Sequence, residues 1–410
     1  MATEPTGRTG PLDGLRVVDW TMWQFGPVST MMLADMGAEV IKVESLDGDH
    51  GRQFEGIRGV PAMLPGGLSA YFEGLNRGKL GIALDLKNPG GIEVMHRLVE
   101  KSDIFVQNFR QGVAERLGLG YEDLKTRNPG IIYASASGYG PEGPDSGKPA
   151  FALTAEARSG ALWWFGPPDD TPHELDIADQ IAGMMLSYGV IGAVVARERF
   201  GFGQKVDVSH LGSMVWARGM QNGISLLTNV EVPRFDRKAP GQVLWNYYRC
   251  GDDRWIAFSM GQGDRYWPTF CKAIGRIDLV EDSRFSDMAA RFENRVTLVE
   301  ILDGVFASRT RDQWERRLVD AGDLIWERVQ STLDLIDDPQ VTQNDYVVEF
   351  DHPVLGATRW TQTPVTYSET PLSTRKMAPA LGENTEEVLI DLLGYDWDEI
   401  VALKNDGAIL

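Results

Sequence analysis

The stretch RVVDWTMWQFGPVSTMMLADMGAEVIKV, residues 16–43, decides the fold of this chain. It begins with one short run, Arg16–Trp20, and ends with a second, Glu39–Val43, and both have the length and composition of strands. Between them a loop leads into a predicted helix over Val28–Met36, which Gly37 ends. Two strands joined by such a helix are predicted to lie parallel in one sheet.

The alternation of short strands and helices continues to about residue 215. Four further strands are predicted, at Ile82–Leu86, Ile104–Gln107, Ile131–Ser135 and Lys205–Ser209. Apolar strands that alternate with helices indicate a sheet with both faces covered. We therefore predict an α/β fold built on a Rossmann-like, mostly parallel sheet.

The character of the sequence changes near residue 230, where Pro, Arg, Asn and aromatic residues become frequent. A strand at Trp255–Ser259 and several short amphipathic helices follow. A chain of 410 residues also exceeds what one hydrophobic core usually serves. We predict a large α/β domain that begins with residues 1–220, a small α+β domain over 230–340, and a C-terminal segment, 350–410, that returns to the large domain.

The composition is that of a folded, acidic protein, with 43% hydrophobic residues, 24% charged residues and a formal net charge of −19. This charge argues against a nucleic-acid partner and against docking on an anionic membrane, since both need a basic face. A few local Lys and Arg side chains can still form a positive pocket for a phosphorylated ligand. The uncharged segment Gln180–Ala196 is predicted to be a buried core helix rather than a membrane span.

Only two cysteines occur, Cys250 and Cys271, and they form no CxxC motif. Together with a start that has no apolar signal-peptide region, they predict a cytoplasmic protein.

The five histidines stand singly, without the spacing of a zinc site. Ser209 and His210 are adjacent, and on a strand their side chains would point to opposite faces, too far apart for a nucleophile–base pair. Gly138–Gly143 matches GxGxxG, but nearby prolines prevent the helix that a dinucleotide site needs.

Asp179 is the candidate nucleophile that the residues alone suggest. It stands at the start of a long apolar helix, where unpaired N–H groups and the positive end of the helix dipole stabilise a carboxylate. Ala182 and Gly183 follow within one turn and leave space for a bulky ligand. An ionised carboxylate with such space can carry out nucleophilic catalysis. An aspartate at a helix start is, however, more often a cap or a first-turn charge.

Six blocks of the sequence, in the same order, resemble the CaiB/BaiF family of class III CoA-transferases. The block around Asp179, IADQIAGMMLSYGVIGAVVARERFGFGQKVDVS, is similar to the active-site helix and following strand of that family. The other five blocks lie at Pro11–Glu44, Leu75–Gly91, Asp103–Leu124, Asn128–Pro144 and Pro379–Leu389. The resemblance therefore covers nearly the whole chain.

The resemblance implies that Asp179 is the catalytic aspartate, which takes CoA from an acyl-CoA donor through mixed anhydrides and an aspartyl-CoA thioester and passes it to a carboxylic acid. It implies no metal and no redox cofactor. It also implies an interlocked homodimer, in which each chain threads a ring formed by the other. Contacts to coenzyme A are implied at Gln24, Phe25, Leu84, Lys87, Asn108, Phe109, Arg110, Arg116 and Lys148.

Several positions depart from the family pattern. Ser45, Leu80 and Gln111 stand where members often carry Arg, Arg and Pro, so the contacts to the CoA phosphates stay open. Family racemases carry a His-Asp pair where this chain has Phe151 and Ala152. This difference favours a transferase over an α-methylacyl-CoA racemase, because racemisation needs two proton carriers. A non-catalytic CoA-binding subunit is the third alternative.

The sequence does not identify the carboxylic acid that the implied transferase would use. Four tryptophans, Trp20, Trp23, Trp163 and Trp164, lie on segments predicted to border the acyl pocket. An aromatic cage of this kind could hold an aryl group or a quaternary ammonium. Core packing explains these tryptophans equally well.

Overall fold

A computed structural model describes residues 10–372 and 377–410 of the chain. Contacts between residues divide the chain into two compact units. The first unit contains the chain up to Leu162, together with Glu174–Val230 and Gln343–Leu410. The second unit contains Trp163–His173 and Glu231–Thr342.

The first unit is built on one sheet of six strands. They are β1 Arg16–Trp20, β2 Glu39–Glu44, β3 Lys79–Ala83, β4 Ile104–Gln107, β5 Ile132–Ser137 and β6 Lys205–Ser209. All neighbouring strands are parallel, and their spatial order is β3-β2-β1-β4-β5-β6. This is the strand order of a doubly wound Rossmann-type sheet. The predicted fold class is confirmed.

Helices connect the strands of this unit and continue beyond β6. Up to residue 230 they are α1 Phe25–Asp35, α2 Ala70–Asn76, α3 Pro89–Glu100, α4 Val113–Arg116, α5 Tyr121–Arg127, α6 Ala152–Arg158, α7 Ala161–Trp164, α8 Ala178–Phe200, α9 His210–Ala217 and α10 Gly219–Thr228. Short 3-10 turns lie at His50–Gln53 and Pro65–Gly67, beside a hairpin of Gly56–Ile57 and Val60–Pro61.

The second unit combines a small antiparallel sheet with helices. Its strands, β7 Trp245–Arg249, β8 Trp255–Ser259 and β9 Trp326–Arg328, are ordered β9-β8-β7. Its helices are α11 Gly263–Ile274, α12 Asp278–Glu281, α13 Met288–Glu293, α14 Arg295–Phe306, α15 Arg311–Ala321 and α16 Pro339–Thr342, with a 3-10 turn at Leu333–Asp337. Tyr248, Phe270, Phe306 and Trp314 lie fully buried in its core.

The chain then returns to the first unit. The hairpin of β10 Val347–His352 and β11 Gly356–Thr361 comes first, followed by α17 Thr385–Glu387, a π-helical turn at Val388–Leu392, and α18 Trp397–Asn405. Near the end, Leu84 forms an isolated β-bridge with Ile409. The C-terminal segment is therefore anchored beside β3.

Helix α1 begins three residues before the predicted start at Val28. The difference is caused by Pro27, which the prediction placed in the preceding loop. In the structure Pro27 occupies the first turn of the helix, where its missing N–H would have no partner inside the helix. The fixed backbone angle of proline suits that position.

Both faces of the six-stranded sheet are covered. Neighbouring residues of β1 point to opposite sides, so that Val18 packs on one face and Val17 on the other. Helix α8 covers the second face together with α1, through a buried row that includes Ala182, Leu186 and Val190. The opposite side of α8 is exposed, with Tyr188 at 73%. The predicted core helix is therefore buried along one side only.

In the described part of the chain, α8 is also the one helix long and apolar enough to cross a membrane. Of the most apolar stretch of 18 residues in this helix, 44% is buried inside the protein. A single helix of this kind is weak support for a membrane span, because core helices share its length and composition.

Four charged side chains lie buried beneath the loop that follows β1. Lys79 donates a hydrogen bond to Asp19 at 2.8 Å, and Lys42 donates one to Asp49 at 2.9 Å. Burial lowers the pKa of Lys79 to about 8, although Asp19 opposes this shift. Asp49 also accepts the N–H of Trp23 at 3.2 Å. The buried pairs thus fix the loop that borders the site described next.

Candidate active site

The order of the sheet reverses between β1 and β4, so the loops after these two strands separate and leave a crevice. Two cavities lie here, a first cavity of about 600 Å³ and a second cavity of about 390 Å³. Both are lined by Met22 from the loop after β1 and by Phe109 and Val113 from the segment after β4. The two cavities therefore adjoin.

Asn108 ties the two loops of the crevice together. Its Nδ2 donates to the carbonyl of Met22 at 2.7 Å, and its Oδ1 accepts the N–H of Met22 at 2.9 Å. The next residue, Trp23, has φ +64°, a conformation that tryptophan rarely adopts. Trp23 is held in this conformation by two hydrogen bonds, from the N–H of Met22 to Asn108 and from its own N–H to Asp49. The amide of Asn108, a predicted coenzyme contact, thus positions the loop.

Four predicted coenzyme contacts line the first cavity, namely Leu84, Lys87, Phe109 and Arg116. Phe109 stacks on Trp20 with 4.2 Å between ring centroids. This pair gives the cavity a flat aromatic wall of the kind on which a purine can stack. Lys87 and Arg116 are exposed cations suited to phosphate groups.

Acidic residues also line the first cavity, and two of them are neutralised within the protein. Arg52 forms two hydrogen bonds of 2.7 Å with Glu44, and Lys42 pairs with Asp49. The hydroxyl of Ser45 lines the same cavity and donates a hydrogen bond to the carbonyl of Gly48 at 3.4 Å. Among the described residues that line the first cavity, the basic side chains are therefore Lys87 and Arg116.

The second cavity is lined by Asp179 and by five predicted coenzyme contacts, Phe25, Asn108, Phe109, Arg110 and Lys148. Gln24 is not among the described residues that line either cavity. It precedes α1, and its carbonyl accepts the N–H of Val28 at 2.8 Å. The structure thus brings nine of the ten predicted site residues to the two adjoining cavities.

Aromatic side chains form much of the second cavity. Trp23 meets Tyr71 and Phe151 edge to face, with centroids 6.5 and 6.4 Å away. Burial, with the nearby carboxylates of Asp179 and Asp49, raises the pKa of Tyr71, so its hydroxyl keeps its proton. Of the four tryptophans considered for a cage, Trp23 alone lines this cavity.

Asp179 lies in the first turn of α8, beside the second cavity. Its side chain is 24% exposed, which leaves it accessible to a ligand. Its Oδ1 accepts a hydrogen bond from Nε2 of His210 at 2.7 Å. An ionised carboxylate only accepts hydrogen bonds, so Nε2 carries the hydrogen.

His210 is the main site residue that sequence reasoning missed. Ser209 and His210 were considered only as strand neighbours with side chains on opposite faces, whereas the strand β6 ends at Ser209, as predicted, and His210 begins α9. The Ser209 side chain caps that helix by accepting the N–H of Gly212 at 3.0 Å. A serine followed by a change of periodicity was the available signal for a helix start. The contact between His210 and Asp179 was therefore not predicted.

Glu156 is the second missed residue, and it holds the start of α8. Its fully buried carboxylate accepts the N–H groups of Leu175, Ile177 and Ala178 at 3.0, 3.0 and 3.2 Å. Ile177, at the cap position of α8, supplies no side-chain bond of its own. A helix start without a local cap needs a distant acceptor, and Glu156 is that acceptor.

Among residues 10–372 and 377–410, no group of three His, Cys, Asp or Glu side chains is placed to hold a metal ion. The two cysteines are buried, and burial raises the pKa of each thiol to about 12. Thiolate chemistry at neutral pH is thereby disfavoured, because the thiolate is the nucleophilic form. Asp179, by contrast, is an accessible carboxylate that lines the second cavity.

A doubly wound sheet with an aromatic and cationic crevice at its switch point, leading to an accessible carboxylate, defines a coenzyme-binding enzyme. The chain belongs to CoA-transferase family III, whose family model matches residues 12–385. It is a class III CoA-transferase of the CaiB/BaiF type, as its sequence blocks predicted.

Two relatives and one solved structure illustrate the similarity. The chain is 32% identical to (R)-2-hydroxy-4-methylpentanoate CoA-transferase of Clostridioides difficile, over 97% of this chain and 99% of that protein. It is also 32% identical to succinyl-CoA:glutarate CoA-transferase of Mus musculus, over 97% and 90% respectively. A CaiB/BaiF family protein from Brucella suis has the same fold, with a TM-score of 0.84, 27% identity and coverage of 94% and 100%.

Proposed function

We propose that this enzyme transfers CoA from an acyl-CoA to a carboxylic acid through covalent intermediates on Asp179. The observation that carries the proposal is the position of Asp179, an accessible carboxylate in the second cavity, next to a first cavity with an aromatic wall and exposed cations. Two relatives named as CoA-transferases, similar over nearly their whole length, support it.

The proposed reaction begins when an oxygen of Asp179 attacks the donor thioester, which forms a mixed anhydride and releases CoA thiolate. The thiolate attacks the side-chain carbonyl carbon of Asp179, giving an aspartyl thioester and the donor acid. An acceptor carboxylate then reverses both steps. Glu156 and His210 support this role, because they fix the helix start and one oxygen of the nucleophile.

The two cavities suggest how acyl-CoA binds. The adenine end fits the first cavity, against the Trp20–Phe109 stack and near Lys87 and Arg116. The thioester end then reaches Asp179 in the second cavity, which shares part of its lining with the first. Arg110 and Lys148 line this second cavity and supply positive charge for the acyl or acceptor carboxylate.

The structure does not favour the racemase alternative. Racemisation requires two proton carriers on opposite sides of one carbon atom. Asp179 and His210 are in direct contact at 2.7 Å, so no carbon fits between them. Phe151 of the second cavity cannot exchange a proton.

We propose an acid with an apolar or aromatic body as the substrate. Trp23, Tyr71 and Phe151 give the second cavity an aromatic wall. The two relatives are named for different acids at equal identity, so similarity alone does not choose between them. A donor and acceptor panel tests this point. Preference for short dicarboxylates over arylalkanoic and branched acids would overturn it.

We propose that the enzyme works as an interlocked homodimer. Helix α10 supports this, because the helix has no buried residue, and Leu226 and Leu227 are 82% and 90% exposed. Exposed apolar clusters of this kind mark interaction surfaces. Light scattering should give the mass of a dimer, and Leu226→Asp with Leu227→Asp should give a monomer. A monomeric wild-type enzyme at micromolar concentration would contradict the proposal.

We also propose a cytoplasmic location, which agrees with two free, buried cysteines. The enzyme draws its substrates from the acyl-CoA pool on this view. Fractionation of cells that express a tagged enzyme tests the location, and recovery with membranes would contradict it.

Mass spectrometry of the protein after incubation with acyl-CoA and hydroxylamine tests the chemistry. We expect an aspartyl hydroxamate at Asp179, and its loss in Asp179→Ala. Asp176→Ala is the matched control, because Asp176 lies three residues away in an exposed ion pair with Arg58 at 2.9 Å. Activity retained by Asp179→Ala would overturn the proposed mechanism.

A further inference from the structure

His210 presents one hydrogen atom to one oxygen of Asp179. Its Nε2 lies 2.7 Å from Oδ1, and its side chain is only 9% exposed. The imidazole packs on Phe25 with 4.4 Å between ring centroids, and Phe25 is itself buried. The hydrogen bond is therefore formed in a largely dry, apolar setting, where a fixed donor acts most strongly on charge.

The two oxygens of Asp179 are consequently not equivalent. Oδ1 is occupied by His210, and Oδ2 has no hydrogen-bond partner among the described residues. The attack on the donor thioester therefore falls to Oδ2. Oδ1 then becomes the carbonyl oxygen of the anhydride and later of the aspartyl thioester.

We propose that His210 is a catalytic residue that stabilises negative charge on Oδ1 when CoA thiolate attacks the side-chain carbonyl carbon of Asp179. This role rests on the proposed function. In that step the sulfur–carbon bond forms and the electron pair of the carbonyl bond moves onto Oδ1. The pair then returns, the bond between the carbon and Oδ2 breaks, and the donor acid leaves with Oδ2.

The return half of the reaction uses the same donor. The acceptor carboxylate attacks the thioester carbon, charge again develops on Oδ1, and the thiolate leaves. The thiolate then attacks the acceptor acyl carbon, and Asp179 regains its carboxylate with an oxygen from the acceptor. Each turnover therefore replaces Oδ2 and keeps Oδ1.

His210 acts in this scheme as a hydrogen-bond donor and not as a base. None of the four steps requires a proton to be added or removed. The other ring nitrogen, Nδ1, is buried and has no hydrogen-bond partner among the described residues, so it offers no route for a proton to solvent. Both facts leave donation from Nε2 as the function of the ring.

Rapid-quench mass spectrometry of a single turnover tests the role. We expect His210→Leu to slow formation of the aspartyl-CoA adduct by about 10²–10³-fold, as for loss of one oxyanion donor. Release of the thiol in the first step should change much less, so the Asp179 anhydride should accumulate. His210→Gln, which keeps an N–H donor, should recover part of the rate.

Oxygen labelling tests the same role without any variant. With an ¹⁸O-labelled acceptor, the wild-type Asp179 should take up one labelled oxygen rapidly and the second only slowly. In His210→Leu both oxygens should be labelled at similar rates. Equal labelling of both oxygens in the wild type would overturn the role of His210.

The outcomes separate this inference from the proposed function. A wild-type enzyme that forms no adduct at Asp179 would overturn the covalent mechanism and the role of His210 with it. A wild-type adduct that forms at the same rate in His210→Leu would overturn the role of His210 alone.

Discussion

Two aspartates of the first unit illustrate how differently the same side chain can be held. Asp19, in the middle of the sheet, is fully buried and accepts hydrogen bonds from Thr21, Thr30 and Lys79. Burial alone would raise the pKa of Asp19, but the charges of Lys79 and Lys42 hold it below the ordinary value. Asp179 is partly exposed, and its side chain has one hydrogen-bond partner among the described residues, His210.

The comparison shows that charge and burial do not by themselves mark a nucleophile. Both carboxylate oxygens of Asp19 accept hydrogen bonds, and its side chain is fully buried. Within the part of the chain that the structure describes, Oδ2 of Asp179 has no hydrogen-bond partner, and Asp179 lines a cavity. Incomplete hydrogen bonding of an accessible carboxylate is therefore the feature that separates the proposed nucleophile from the structural carboxylate.

The largest effect should follow from removing the carboxylate of Asp179, the proposed nucleophile. We expect Asp179→Asn to lower the rate of CoA transfer by at least about 10⁴-fold, as for loss of other catalytic nucleophiles. The free energy of unfolding should change by less than about 1 kcal/mol, because the side chain is partly exposed. Steady-state kinetics and urea unfolding measure the two quantities. A substantial residual rate would place the nucleophile elsewhere.

The opposite pattern is expected for the structural carboxylate. Asp19→Asn leaves Lys79 buried without a carboxylate and should lower the free energy of unfolding by about 3–5 kcal/mol. The double variant Asp19→Asn with Lys79→Met removes the unpaired charge and should recover much of this loss. Urea unfolding of the three proteins measures it. A single variant as stable as the wild type would show that the pair is dispensable.

An intermediate effect is expected for Glu156, which touches the backbone ahead of the nucleophile. Glu156→Gln keeps the shape of the side chain but removes its charge from the start of α8. Since charged hydrogen bonds contribute about 1.5–3 kcal/mol, we expect roughly a tenfold slower adduct formation at Asp179. Glu156→Ala should be slower still. Wild-type rates in both variants would mean that the start of α8 is held without Glu156.

Much of the sheet and the position of Asp179 could be predicted from the sequence, because strands and helix starts leave local sequence patterns. The predicted bounds of β4 and β6 agree with the structure, and Asp179 was located at the start of α8. Family resemblance, rather than local chemistry, selected Asp179 over other helix-start aspartates. The strand predicted at Ile82–Leu86 instead spans Lys79–Ala83, because the pair with Asp19 lets the charged Lys79 lie buried at its start.

The residues that position Asp179 could not be predicted, because tertiary contacts bring them together. His210 is 31 residues from Asp179 in sequence and Glu156 is 23 residues away. The contact with His210 depends on where β6 ends, and a shift of one residue would turn the ring away. Glu156 lies far from the start of α8 in sequence, so no local pattern marks it as the acceptor for that helix start.

A third carboxylate, Glu73 of α2, lies between the two extremes and sharpens the comparison. It is buried, but its Oε2 has no hydrogen-bond partner among the described residues, and Nε2 of His352 lies 3.6 Å away, beyond hydrogen-bond distance. Burial raises the pKa of Glu73, and His352 only partly opposes this shift. The folded protein therefore binds this proton more tightly than the unfolded chain does.

The sign of the pH effect follows from this difference. Because the folded state holds more protons, its stability falls as pH rises from the unfolded value near 4.5 through the raised folded pKa. We expect Glu73→Gln to stabilise the protein by about 1 kcal/mol at neutral pH and by less in acid, measured by urea unfolding between about pH 5 and about pH 8. The exposed Glu93, in Glu93→Gln, is the matched control and should leave the pH profile unchanged. Parallel pH profiles for wild type and Glu73→Gln would mean that nearby charges already offset the cost of burying the Glu73 carboxylate, as they do for Asp19. An unpaired buried oxygen would then not identify a destabilising carboxylate in this fold.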